Sequence, residues 1–87
     1  MMNLDVVKDL LGDLETVTTA GLGFTMGKVV GLLRRELDAV ESALGEPERR
    51  VMERALDDLG HESSRWLPDA GRFVARAQVI TQTLTLI

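Results

Sequence analysis

Residues 26–44 read MGKVVGLLRRELDAVESAL, and the spacing of their apolar side chains decides the fold class. Met26, Val30, Leu33, Leu37, Val40 and Leu44 recur at intervals of 4, 3, 4, 3 and 4. A helix of 3.6 residues per turn gathers such positions on one side, in the rhythm of a coiled-coil seam. The stretch therefore predicts a helix over about 25–44. Gly45 stands where a glycine suits the first position past a helix end.

Working outward from this segment, Pro47 suits the first turn of a new helix, with Glu46 and Glu48 favourable near its positive end. That third helix is predicted over about 47–59, with Val51, Met52, Ala55, Leu56 and Leu59 inward and Gly60 as its stop. A polar linker, His61 to Arg65, follows. Pro68 opens a last helix over about 68–86, whose seam is Ala70, Phe73, Ala77, Ile80, Leu84 and Ile87. Trp66 and Leu67 are placed to fold back on its first turn as a hydrophobic staple. The tail from Val79 to Ile87 is rich in β-branched residues and also fits a strand; its unbroken heptad rhythm favours helix.

Upstream, Leu4, Val7, Leu11 and Leu14 predict a first helix over about 4–18, with Asn3 as N-cap and Asp5 in its positive first turn. The pattern fades at Thr16–Thr19, and residues 19–24, which include Gly21 and Gly23, read as a break. The fold class is thus all-α: a small antiparallel helical bundle of three to four helices in a single domain over residues 1–87.

The composition narrows the functional classes. There is no cysteine, which removes disulfides, thiolate metal sites and a cysteine nucleophile, and which points to a reducing, cytoplasmic location. The net charge of −4 makes the chain acidic and argues against binding nucleic acid or an anionic membrane mainly by charge. Asp5, Asp9 and Asp13 stand where a signal peptide needs a basic region, so no cleavable leader is expected. Thr16–Leu33 is the longest weakly charged run, and Lys28 and its glycines make it a poor membrane span.

Four features bear on function. Gly23, Gly27 and Gly31 form a GxxxGxxxG pattern that bares one side of a helix for close backbone packing, unless the stretch is a loop. The pattern lacks the ending of a phosphate-binding loop, and no strand precedes it. Asp5, Asp9 and Asp13 form an acidic stripe, and Arg72 and Arg76 a basic pair; these are expected to face each other within one chain or across a symmetric dimer. His61 lies three residues after Asp58, a distant likeness to the carboxylate–histidine spacing of di-iron bundles, but it is the one histidine and follows a glycine stop. Arg49, Arg50 and Arg54 would serve a DNA-contacting helix, yet Arg49–Glu53 and Arg54–Asp58 stand at i, i+4 and predict self-pairing.

No set of residues makes a catalytic unit, and no cofactor or metal is implied, so the chain is not expected to be an enzyme. Two long seams in a chain this short offer more apolar face than one thin domain is expected to cover. That predicts a homodimer, a higher homo-oligomer or a dedicated protein partner. The expected contacts are Val30 and Leu37 on the second helix, with Phe73, Ile80 and Leu84 on the last. The three glycines, Arg72 and Arg76 join them. The alternatives are a small nucleic-acid-binding regulator using Arg49, Arg50 and Arg54, and a small enzyme or ligand-binding bundle.

Overall fold

The computed structural model describes residues 3–14, 16 and 19–86. Four helices follow in order: α1 (Asn3–Asp13), α2 (Thr19–Ala39), α3 (Glu46–Ser63) and α4 (Ala70–Thr85), with a short 3₁₀ turn at Glu41–Ala43 between α2 and α3. They form an antiparallel bundle in which α2 and α4 each pack against both α1 and α3 and also meet across the centre. No strand occurs among the described residues.

The core is one cluster drawn from all four helices. It joins Val7 and Leu11 of α1, with Leu14 just beyond it, to Met26, Val29, Val30, Leu33 and Leu37 of α2. Met52, Leu56 and Leu59 of α3 and Phe73, Ala77, Ile80 and Leu84 of α4 close the other side. Each large side chain removed from water contributes about 1.5–3 kcal/mol. Most periodic positions read from the sequence are buried, with Val29 added; Leu4, Val40, Leu44, Ala55 and Ala70 are only partly buried against the core, and Val51 is exposed.

Several boundaries differ from the sequence reading. Residues 19–24 are helical, not a break. Glycines cost up to about 1 kcal/mol each inside a helix, and α2 offsets this by burying Met26, Val29, Val30 and Leu33. The turn lies earlier, since α1 stops at Asp13; the predicted helical residues 15, 17 and 18 lie outside the described set, as does Ile87. Asn3 is already in α1, and its side chain also falls outside that set. α2 ends at Ala39 rather than 44, because Val40 leaves helical geometry at φ −107°, ψ 10°.

Gly45 is the N-cap of α3, with extended φ −68° and ψ 158°, and not a left-handed C′ residue of α2. α3 passes through Gly60 and His61 to Ser63. Its end is drawn in by Ser63 and Ser64, whose hydroxyls both donate to the Gly60 carbonyl at 2.8 and 3.1 Å. α4 starts after Pro68, at Ala70, where the Asp69 carboxylate accepts from the Arg72 backbone N–H at 3.1 Å. The C-terminal doubt resolves to helix. Thr81, Thr83 and Thr85 each donate the hydroxyl to the carbonyl four residues back, at 2.8, 2.9 and 2.8 Å, so these β-branched residues fit a helix.

Ion pairs lie on the rim. Arg34 on α2 meets Asp57 on α3 at 2.9 Å. Arg49 meets Glu41 at 2.7 Å, Glu46 at 3.3 Å and Glu53 at 3.8 Å, tying the α2–α3 connection to α3. The hydrogen bond that Arg49 donates to Glu41, together with the nearby carboxylates, raises the Arg49 pKa above its ordinary value. Its Nε is shielded from water and too far from Glu53 for a hydrogen bond.

Candidate interaction surface

The two seams expected to seek a partner are covered by the chain itself. Phe73 is fully buried, and Val30, Leu37, Ile80 and Leu84 are buried beside it in the shared core. An antiparallel bundle turns both seams toward one axis, so their apolar faces cover each other. The two seams therefore do not call for a partner, contrary to expectation: these five side chains are at most 7% exposed.

The other expected contacts are scattered. Gly23 is half-buried where the start of α2 meets the end of α3, and a Cβ there would stand 3.4 Å from the Ser63 carbonyl oxygen. Gly27 and Gly31 are exposed, with nothing within 4 Å of an added Cβ. Of the three, Gly23 lies against another helix, at ordinary contact distance, and the other two face open space. Asp5, Asp9, Asp13, Arg72 and Arg76 are all exposed, and among the described residues no ion pair joins the two stripes. The reason is helix rotation. α1 turns Lys8, Leu11 and Gly12 toward Val74, Gln78 and Thr81 of α4, and Arg72 and Arg76 lie on the opposite side of α4.

Of the arginines considered for DNA, Arg49 is held by three carboxylates and Arg50 meets Glu46 at 3.4 Å. The Arg49–Glu53 pair forms; Arg54 has no carboxylate within 4 Å among the described residues. His61 is exposed in the last turn of α3, not in a linker. Among the described residues no cluster of three or more metal-ligating side chains occurs. No helix there is long and apolar enough to cross a membrane.

What the bundle does expose is a groove between α3 and α4. It has a volume of about 700 Å³ and runs from Ala55 and Val79 to Pro47 and Leu86. Val51 is 68% exposed, Val79 63% and Leu86 88%. Glu48 and Thr83 are the polar side chains on its lining. Val51 was expected inward; it stands one position before the buried Met52, about 100° round the helix, and so faces the groove instead.

The opposite end of the bundle carries three further exposed apolar side chains: Phe24 at 78%, Trp66 at 91% and Leu67 at 63%. Trp66 and Leu67 therefore do not staple the first turn of α4. The neighbouring Glu62, a buried carboxylate, occupies that corner. It accepts from the Asp69 backbone N–H at 3.4 Å and pairs with Arg65 at 3.4 Å.

Comparison with protein-family models, with curated proteins and with solved structures finds no match to this chain.

Proposed function

We propose that this chain is a non-enzymatic helical association module that docks protein surface in the α3/α4 groove. The observation that carries this reading is the concentration of exposed Val51, Val79 and Leu86 along one groove, in a bundle whose own seams are already covered. Scattered exposed apolar residues are ordinary on a soluble domain; several lining one concave strip are the usual mark of a contact surface. The lining suits contact better than catalysis, since a reaction site needs converging polar groups and this lining offers Glu48 and Thr83. The elongated strip between two helices fits an apolar helix face laid along it.

The test is a photocrosslinking residue in place of Val79, irradiated in the native cells. We expect a crosslinked product of discrete mass that disappears when Val51→Asp is added. No product at position 79, alongside efficient crosslinking from a probe at Phe24, would overturn the reading.

A further inference from the structure

The charges along the groove have an order that matches a reversed copy of themselves. On α4, Arg72, Arg76, Val79, Thr83 and Leu86 follow at spacings of 4, 3, 4 and 3, on one exposed side of the helix. Neither arginine has a carboxylate within 4 Å among the described residues. At that end the unpaired charges of Arg54 and Asp58 cancel in sum, Glu62 pairs with Arg65, and Asp69 offsets one of the two α4 arginines, which leaves a net positive charge. At the other end, Glu48 lines the groove, is exposed and has no ion pair among the described residues. The apolar stretch lies between.

The lengths agree as well. α3 and α4 run antiparallel, and the groove brings Pro47 and Glu48 to the level of Leu86. Arg76 and that level are ten residues apart along α4, about 15 Å at the helical rise. Their midpoint falls at residue 81, between Val79 and Thr83, within the strip. A two-fold axis across the helices at that level lays strip on strip. It also carries the basic end of each copy over the acidic end of the other, twice, as an isologous contact requires.

We infer that a second copy of this chain covers the groove, turned end for end about that axis, with Arg76 of each copy reaching Glu48 of the other. This rests on the reading of the groove as a docking surface and names its occupant. The apolar strip supplies the affinity, and the two rim pairs set the register and direction.

The test is sedimentation equilibrium of the purified full chain at low salt, with circular dichroism confirming that each variant is folded. The wild type is expected to show a monomer–dimer equilibrium, which Val79→Asp removes. Arg76→Glu and Glu48→Arg should each weaken the dimer about tenfold, since each replaces two attractions by two repulsions. The double variant R76E/E48R should return to near wild-type affinity. A dimer unmoved by either reversal, or a double variant weaker than both singles, would overturn the inference. So would a wild type monomeric up to about 1 mM, the range of negligible association. In that last case, crosslinks from residue 79 to another species would leave the docking reading standing and remove its proposed occupant. A dimer indifferent to Val79→Asp would remove both.

Discussion

Gly23 approaches the Ser63 carbonyl oxygen closely enough that an added Cβ would stand 3.4 Å from it, whereas Gly27 and Gly31, one and two turns on, face open space. One repeated residue thus serves two different situations. At the α2/α3 contact a Cβ would still fit at ordinary van der Waals distance, but a larger side chain would press on the Ser63 carbonyl. On the outer face it leaves the helix backbone uncovered.

Alanine substitution separates these cases. Gly27→Ala and Gly31→Ala should each stabilise the protein by about 0.5–1 kcal/mol, the helix-propensity difference. In a domain this small that is a rise in melting temperature of roughly 2–8 °C. Gly23→Ala meets an ordinary contact and should be near neutral to mildly stabilising, but Gly23→Leu should destabilise by about 1–3 kcal/mol through overpacking. Thermal unfolding followed by circular dichroism checks the order. A stabilising Gly23→Leu would contradict the close approach.

Phe73 is the largest fully buried side chain and sits where the α4 seam meets the other helices. Phe73→Ala should cost about 3–5 kcal/mol. Small domains hold only about 0.05–0.15 kcal/mol of stability per residue. The variant is therefore expected to be largely unfolded at room temperature, with an early or absent transition in a urea titration. A cooperative unfolding curve close to that of wild type would show that the core is not centred on this ring.

The fold was legible where apolar spacing and burial coincide. Met26, Leu33, Leu37, Phe73, Ile80 and Leu84 were placed by rhythm alone, because a 3–4 spacing fixes a helix face whatever lies between. Boundaries were less legible. Glycine at 21, 23 and 60 read as punctuation, yet the helices run through all three, since burial elsewhere along each helix outweighs a local propensity cost. The rhythm also carried α2 too far: Val40 and Leu44 keep the spacing but pack against the core from either side of a 3₁₀ turn. Asp69, three residues before Arg72, was a readable N-cap that the neighbouring Pro68 obscured. The groove was hidden for a different reason. Val51 and Met52 are adjacent apolar residues, and only the packed neighbours decide which of the two turns inward.

Glu62 gives the corner between α3 and α4 its geometry. Its buried carboxylate accepts from the Asp69 N–H, and the Asp69 carboxylate in turn accepts from the Arg72 N–H, so two acceptors in series start α4. Glu62→Ala should destabilise by about 1–3 kcal/mol, because it leaves the Asp69 donor without its acceptor. Glu62→Gln keeps an acceptor oxygen and should cost less. Asp69→Ala should cost about 1 kcal/mol as a lost cap. Since the two bonds share residue 69, the double variant should deviate from additivity by at least about 0.5 kcal/mol. Strict additivity in urea unfolding would mean that the two contacts act independently.

Val51 and Val79 should separate stability from association. Both are mostly exposed and border the same groove, so a polar replacement removes little buried area from the folded monomer. Val51→Asp and Val79→Asp should each change unfolding free energy by no more than about 0.5–1 kcal/mol, as surface substitutions do. The same changes place a charge on the strip, where docking must strip it of water at a cost of several kcal/mol. Melting temperature should therefore stay almost constant while the mass measured by light scattering at high concentration falls to that of the monomer. If either substitution instead lowers the melting temperature as far as a core truncation does, the side chain belongs to the interior. The groove would then be part of the packing of the bundle rather than a place for anything to dock.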